Sequence, residues 1–357
     1  MATRLKIALL FGGRSGEHEV SVRSAESVAL GLSTRFDVLP VLIDHGGRWW
    51  LQPQGSTVAP TGGVPVFVVP SPEDKGALRR LDNAEVAARP DVYFPVLHGT
   101  YGEDGTIQGL LELAGVPFVG SGTAASAGAM DKVLMKALFA AAKLPQADYR
   151  VLLARDRANA AAIVAPLGLP VFVKPANLGS SVGVSKVKTA SELGAALDVA
   201  FAYDRKVVVE AAVPGAREIE IAVLGNDDAK ASIAGEIIPD REFYDYDSKY
   251  SADSKTELKI PAPLDAAAME EVRRVAVDVF RSVDASGYAR VDFLMEKATG
   301  KLVVNDINTI PGFTSISMFP KLWGATGIPY EDLLEKLVHL GLERQRERAA
   351  LKTDFRQ

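Results

Sequence analysis

The chain has 357 residues, 48% hydrophobic and 24% charged, with a formal charge of −5 and no cysteine. That length suits two or three domains with buried cores, the negative balance argues against nucleic acid or an anionic membrane as a partner, and the lack of cysteine excludes disulfide frameworks, thiolate metal centres and a thiol nucleophile. The N-terminal apolar run is too short for a signal-peptide core and no window reaches transmembrane length, so a cytoplasmic protein is expected.

LKIALLF (5–11), FDVLPVLI (36–43) and VYFPVLHG (92–99) are short apolar runs rich in β-branched and aromatic residues, and predict buried strands. Val20, Ala25, Val28, Ala29 and Leu32 recur near helical spacing between the first two. Asp104 is placed to cap a helix over GTIQGLLELAG, with Ile107, Leu110, Leu111 and Ala114 apolar and Gly115 at its end. This alternation predicts a parallel α/β domain over 1–121. Pro- and Gly-rich sequence at 51–91 reads as an insertion with one or two short strands. MDKVLMKALFAAAK (130–143) predicts an amphipathic helix stopped by Leu144-Pro145.

VFVKP (171–175), a glycine-rich turn, VGVSKVK (182–188), a helix from Ser191 and KVVVEAAV (206–213) form a small α+β module, assigned to 122–212. The third region, 213–357, starts with REIEIAVLG (217–225) and AGEIIP (234–239). DREFYDYDSKYSADSKTE (240–257) follows; it is too long and polar for a tight turn and suits a lid ordering over substrate. Then come the helix AAAMEEVRRVAVDVFRSV, a hairpin YARVDFLMEKATGKLVVNDIN turning at Ala298-Thr299-Gly300, and a charged tail after Leu342 expected to be a solvated helix end.

In that hairpin Arg290 and Asp292 share a face, as do Asp306 and Asn308. Counting back from the turn sets Asp292 across from residues 305 and 306, so Asp292, Asp306 and Asn308 converge. Buried together, such carboxylates repel unless a cation binds, and hard cations such as Mg²⁺ prefer carboxylate and amide oxygens. A surface hairpin with paired charges is the plainer alternative. KPANLGSSVG (174–183) offers a turn whose backbone N–H groups could cradle phosphate, although it is neither a Walker A loop nor G-x-G-x-x-G, and an ordinary Gly-Ser turn would read the same. Lys132, on an amphipathic helix, is by itself an ordinary solvated lysine. FGGRSGEHEVS (11–21) follows the first strand at the usual ligand position of an open α/β sheet. Its Glu17 would repel phosphate and suits an amine. LHGTYGEDG (97–105) puts His98 beside the same mouth, where a structural histidine is equally expected. Ser180, Ser181 and Ser185 lack any G-x-S-x-G or complete S-x-x-K setting, so a serine hydrolase is disfavoured.

Taken in order, FGGRSGEHEVS, LHGTYGEDGTIQGLLELAGVPFVGSG, MDK, VKPANLGSSVG, REIEIAVLG, FYDYDSKY, ARVDF and NDINTIPGFTSIS resemble the D-alanine–D-alanine ligases of the ATP-grasp superfamily over nearly the whole chain. The resemblance implies three domains with ATP between the central and C-terminal ones. It also implies ligation of two D-alanines through a D-alanyl phosphate for peptidoglycan synthesis. Lys132 and Lys174 would grip phosphates, with the 179–183 turn and Ser181 folding over them. Glu210 would meet the adenine amino group and Glu218 the ribose. Asp292, Asp306 and Asn308 would hold two Mg²⁺ ions, or Mn²⁺ in their place. Glu17 would bind the ammonium of the first D-alanine with His98 nearby. Ser180 and Tyr250 would link to Glu17 and close the lid, Arg290 and the Gly312 amide would stabilise the oxyanion, Ser317 would bind the second carboxylate, and Lys249 would face phosphate. A homodimer is implied. The chain departs from the common pattern at Asp306, where relatives carry Glu, so the second ion is expected to be held more weakly. The rivals are another ATP-grasp carboxylate–amine ligase, a non-catalytic ATP sensor, and a nicotinamide-dependent oxidoreductase disfavoured by the incomplete glycine fingerprint.

Overall fold

The computed structural model describes residues 4–55, 57–239, 256–314 and 316–352. The first elements are β1 (Lys6–Gly12), α1 (His18–Ser33), β2 (Asp37–Ile43), β3 (Trp49–Leu51), β4 (Val64–Val68), β5 (Leu78–Arg80), β6 (Val86–Ala88), β7 (Val92–Pro95) and α2 (Thr106–Leu113). They form a seven-stranded sheet in the order β6-β5-β4-β3-β2-β1-β7. β1 lies parallel to β2 and β7, as the alternation of strand and helix requires. Its apolar run is continuous because both faces are covered. Ile7, Leu9 and Phe11 pack with α1 residues, and Ala8 and Leu10 with Ile107 and Leu111 of α2.

The 51–91 stretch contains three strands, β4, β5 and β6, rather than one or two, and they extend the parallel core as an antiparallel set. They escape sequence reading because β5 and β6 have three residues each and β6 is largely exposed, which leaves little apolar signal. β7 ends at Pro95, short of the expected residue 99, and the chain bends to carry His98 and Gly99 to the sheet's mouth. Asp104 holds the start of α2 by accepting the Thr106 N–H at 3.1 Å, from one position before the formal cap Gly105.

The middle of the chain supplies α3 (Thr123–Met130), α4 (Lys132–Ala141), β8 (Tyr149–Leu153), α5 (Ala160–Val164), β9 (Val171–Pro175), β10 (Ser185–Val187), α6 (Leu193–Phe201) and β11 (Lys206–Ala211). The sheet β10-β9-β11-β8 is antiparallel. Asp131 caps α4 by accepting from the N–H groups of Val133 and Leu134. The last part contains β12 (Ala216–Gly225), β13 (Lys230–Ile238), β14 (Glu257–Lys259), α7 (Ala266–Ser282), β15 (Gly287–Glu296), β16 (Leu302–Asn308), α8 (Met318–Ala325) and α9 (Tyr330–Ala349). Its sheet runs β14-β13-β12-β15-β16, antiparallel throughout. The tail after Leu342 is a largely exposed helix end, as expected, with two of its arginines anchored. Arg344 and Arg348 of α9 both pair with Glu112 of α2, which supplies a carboxylate where α9 runs past it.

Candidate functional site

Glu17 stands at the N-cap position of α1, directly after the turn that follows β1. Ser15 Oγ fixes this turn by accepting the Glu17 N–H at 3.1 Å and donating to the His98 carbonyl at 2.7 Å. From the central module Ser180 Oγ donates to the Glu17 carboxylate. Close approach is possible because residues 99 and 179 have no side chain: a Cβ on Gly99 would come 2.7 Å from Glu17 Oε2, and one on Gly179 3.2 Å. Ser180 and Ser181 both hold positive φ, 49° and 59°, an arrangement that costs energy and aims the turn at the mouth. His98 is buried, with Nδ1 at 3.0 Å from the Ile310 carbonyl oxygen and Nε2 at 3.2 Å from Ser24 Oγ. Burial lowers its pKa and keeps the imidazole neutral.

Sequence reading passed over Glu103 in the same segment. It is buried and accepts the Gly99 N–H at 2.7 Å, which fixes the turn beside His98. Burial, reinforced by the neighbouring Glu17 charge, pushes its carboxyl up to about 8. The acidic Gly-Glu-Asp-Gly run next to His98 was the available signal.

Across the cleft, Lys132 at the start of α4 donates to the Leu178 carbonyl at 2.7 Å, beside the glycine-rich turn. Lys174, on β9, donates to Glu210 Oε2 at 2.8 Å and to Asn305 Oδ1 at 3.3 Å. Glu210 on β11 also meets Lys136 Nζ at 3.1 Å. Burial alone would raise the Glu210 pKa, but Lys174 and Lys136 outweigh it and hold the carboxyl at about 2. Both its oxygens are therefore engaged by lysines. Glu218 lies on β12 opposite Leu294 and Ile237, two residues before Glu220, so it shares a face with that residue.

Glu220, Asp292 and Asp306 are register partners across β12, β15 and β16. Asp292 pairs with Asp306 while Phe293 pairs with Val304, so Asn305 is an extra residue in β16. Such a bulge sets two residues against one, which is why the count from the turn pointed to both 305 and 306. Arg290 donates to Asp292 from Nε at 2.6 Å and from Nη2 at 2.7 Å, and its Nε lies 3.1 Å from Glu220 Oε2. Asn308 Oδ1 accepts from the Ile310 N–H at 3.1 Å and Asp306 Oδ1 from the Ile307 N–H at 2.9 Å. Ser317 Oγ accepts from the Thr314 N–H at 3.0 Å, and a Cβ on Gly312 would lie 2.9 Å from it. Tyr250 and Lys249, with most of the expected lid 240–257, lie outside the described residues.

The donor set Asp292, Asp306 and Asn308 is all oxygen, as a hard divalent cation requires, and the Arg290 guanidinium on Asp292 is a cation standing in at one of those carboxylates. Among the described residues no three His, Cys, Asp or Glu side chains converge as metal ligands, so any ion here relies on the Asn308 amide and on substrate oxygens. Contacts thus join Glu17 to Ser180, His98 to the Ile310 carbonyl, Lys132 to the glycine-rich turn, Lys174 to Asn305 beside Asp306, and Arg290 to Asp292, the register partner of Asp306. Lys136, Glu103, Glu220 and Asn305 join them from outside the sequence-based set.

Two family descriptions match the chain: D-ala D-ala ligase N-terminus over residues 6–121 and D-ala D-ala ligase C-terminus over 138–339. The D-alanine–D-alanine ligase of Heliobacterium modesticaldum is 51% identical over 356 residues, covering 96% of each chain. D-alanine–D-alanine ligase A of Bradyrhizobium diazoefficiens is 48% identical over 374 residues, covering 99% of this chain and all of the relative. The solved D-alanine–D-alanine ligase from Coxiella burnetii superposes with a TM-score of 0.86 at 36% identity, covering 98% of this chain and 97% of that one. The VanG D-Ala:D-Ser ligase from Enterococcus faecalis superposes with a TM-score of 0.85 at 34% identity, covering 95% and 100%.

Proposed function

The chain belongs to the D-alanine–D-alanine ligase family, with its ATP-grasp fold, and from that premise we propose the residue roles by which it works. It is an ATP-dependent ligase that joins two D-alanines for cell-wall synthesis. A free carboxylate is a poor acyl donor. Attack of the first D-alanine's carboxylate on the γ-phosphorus of ATP expels ADP and leaves an acyl phosphate. The amine of the second D-alanine then attacks that carbonyl, loses a proton, and inorganic phosphate departs with the former carboxylate oxygen.

Glu17 holds the first ammonium, with Ser180 keeping its carboxylate in place and Tyr250 completing the link from the lid. Neutral His98 lies beside it. Lys132 and Lys174 neutralise phosphate charge, the Ser181 turn and Lys249 close over it, and Glu210 and Glu218 face adenine and ribose. Phosphoryl transfer depends on such positioning and neutralisation. Arg290 and the Gly312 N–H stabilise the oxyanion, where one donor is typically worth about 10²–10³-fold. Ser317 takes the second carboxylate. Asp292, Asp306 and Asn308 would hold Mg²⁺, as two ions, or Mn²⁺ in their place, and the metal would supply charge neutralisation at the phosphates. The acyl phosphate hydrolyses in water, which gives the 240–257 lid its purpose. Three units, 1–121, 122–212 and 213–357, a homodimer and a cytoplasmic setting complete the reading. No helix among the described residues is long and apolar enough to cross a membrane.

One observation carries most weight: Lys174 bonds to Asn305, the residue next to Asp306, so a phosphate-gripping strand and a metal-binding strand meet at one point. The test is direct. Protein, ATP, Mg²⁺ and D-alanine should release phosphate and form the dipeptide, L-alanine should give neither, and loss of turnover on chelating the metal should be reversed by adding Mg²⁺. Dipeptide from L-alanine, or no turnover at all, defeats the assignment. A Tyr250→Phe variant that ligates D-alanine as well as the parent removes Tyr250 from the Glu17–Ser180 link.

A further inference from the structure

Lys136 has no part in the roles given above, and it is among the most deeply buried side chains of the protein, with 1% exposure. Its ammonium meets Glu210 Oε1 at 3.1 Å and lies 5.1 Å from the centre of the Tyr149 ring. The other Glu210 oxygen is 2.8 Å from Lys174 Nζ, whose side chain is 14% exposed. One carboxylate thus holds two ammonium groups, one sealed in the interior and one facing the cleft.

Helix α4 produces this arrangement. Lys132 and Lys136 are four residues apart and share a helix face. Lys132 stays at the glycine-rich turn, while Lys136 reaches Glu210 one turn deeper, on the side where Met135 and Phe139 are also buried. Burying an ammonium is costly, and a single lysine would already neutralise Glu210. The second becomes necessary if Lys174 has to leave. Once Lys174 turns to a phosphate, Glu210 without Lys136 would be a buried, uncompensated charge and would pull Lys174 back.

We propose that Lys136 is the resident counter-ion of Glu210, the positioning residue that frees Lys174 to exchange between Glu210 and the phosphates of ATP. The inference rests on the reading of Lys174 as a phosphate grip.

Lys136→Met keeps the length of the side chain and removes its charge. Phosphate then competes with Glu210 for Lys174, so the apparent KM for ATP should rise by at least about tenfold, or about 1.4 kcal/mol. The apparent KM for D-alanine should stay within about twofold, because uniform binding at that subsite is untouched. Glu210→Gln removes the carboxylate's hold on Lys174 and also alters the adenine contact assigned to Glu210, so the reference for the double variant is Glu210→Gln itself: adding Lys136→Met in that background should change the ATP KM by less than about twofold. An unchanged ATP KM in Lys136→Met, or a rise of about tenfold when Lys136→Met is added to Glu210→Gln, overturns the proposal. If Lys136→Met does not fold, the double variant decides: folded with the ATP KM of Glu210→Gln supports the exchange, and a KM above that or failure to fold reduces Lys136 to a structural residue. Lys174→Met tests the underlying reading separately, since an unchanged ATP KM there removes Lys174 as the grip whatever Lys136 does.

Discussion

Asp306 reaches toward its expected ligand with one methylene fewer than a glutamate. The difference is about 1.5 Å, large against the narrow tolerance of Mg²⁺ around about 2.0–2.1 Å. In the structure its carboxylate turns back to accept the Ile307 N–H. Asp306→Glu should therefore lower the Mg²⁺ concentration for half-maximal turnover by about threefold or more, on the scale of a gained charge-assisted contact. A Mg²⁺ titration of turnover that superposes on the parent's shows that the shorter arm is no handicap. Glu103 supplies a second residue-scale prediction. Its folded pKa of about 8 lies above the ordinary 4.5, chiefly through burial and then through Glu17. Between those values the folded protein binds a proton that the unfolded chain has released, so stability falls as pH rises through the window. Denaturant midpoints from pH 5 to 8.5 should fall less steeply in Glu103→Gln than in the parent, and parallel slopes would place the titration elsewhere. Glu210 has the opposite sign: its contribution is complete above pH 4.5 and is lost as pH falls toward about 2.

At the scale of elements, the site is assembled from a turn, a hairpin and a helix, and these were unequally legible. The hairpin is legible because β15 and β16 alternate apolar and polar residues on either side of a Thr-Gly turn; only the bulge at Asn305 is not, because it adds a residue without changing composition. The strands of the parallel core announced themselves as continuous apolar runs. Helix α3, TAASAGAM, did not, since small residues carry almost no periodic signal. Lys136 was hidden for a different reason: a lysine on an amphipathic helix reads as solvated, and only the arrival of Glu210 from a strand more than seventy positions later reverses that. The glycine-rich turn was visible as a loop, whereas its target, the Glu17 carboxylate 163 residues away in sequence, was supplied by family resemblance alone. That contact invites a test. Ser180→Ala keeps the turn but removes the donor to a charged group, a loss of about 1.5–3 kcal/mol, so the apparent KM for the first D-alanine should rise by about tenfold or more. The change should be absent from the apparent KM for ATP, and a change confined to ATP would show that the serine serves the phosphates instead.

Across the whole molecule, the N-terminal sheet and the C-terminal helices share one core. Ile7, Leu9 and Phe11 of β1 belong to the same buried cluster as Phe319 of α8 and Leu333, Leu334 and Leu337 of α9. The sheet of the central module has its own cluster, from Leu152 to Val209, and α4 meets α7 through Met135 and Phe139. The first union is reinforced by charge. Arg35, just after α1, pairs with Asp332 and Glu335 of α9. Glu112 takes Arg344 at 2.7 Å, Arg348 beside it and the Thr123 hydroxyl at 2.9 Å, and Arg344 lies 4.5 Å from the centre of the Phe118 ring. Exposed ion pairs are worth about 0–1 kcal/mol, and breaking a fully buried one costs about 3–5 kcal/mol. With side-chain exposures of 17% for Glu112 and 13% for Arg344, this pair lies between those limits. Glu112→Ala should therefore cost on the order of 2 kcal/mol, read as a lower denaturant midpoint. It is remote from the cleft, so the apparent KM for ATP should hold while stability falls. Phe118 should retain the Arg344 guanidinium after the carboxylate is gone, which predicts that Glu112→Ala combined with Arg344→Leu is less destabilised than the sum of the two single changes. Strict additivity in that cycle would mean that the junction of α2 and α9 is held by apolar packing and owes nothing to the charges.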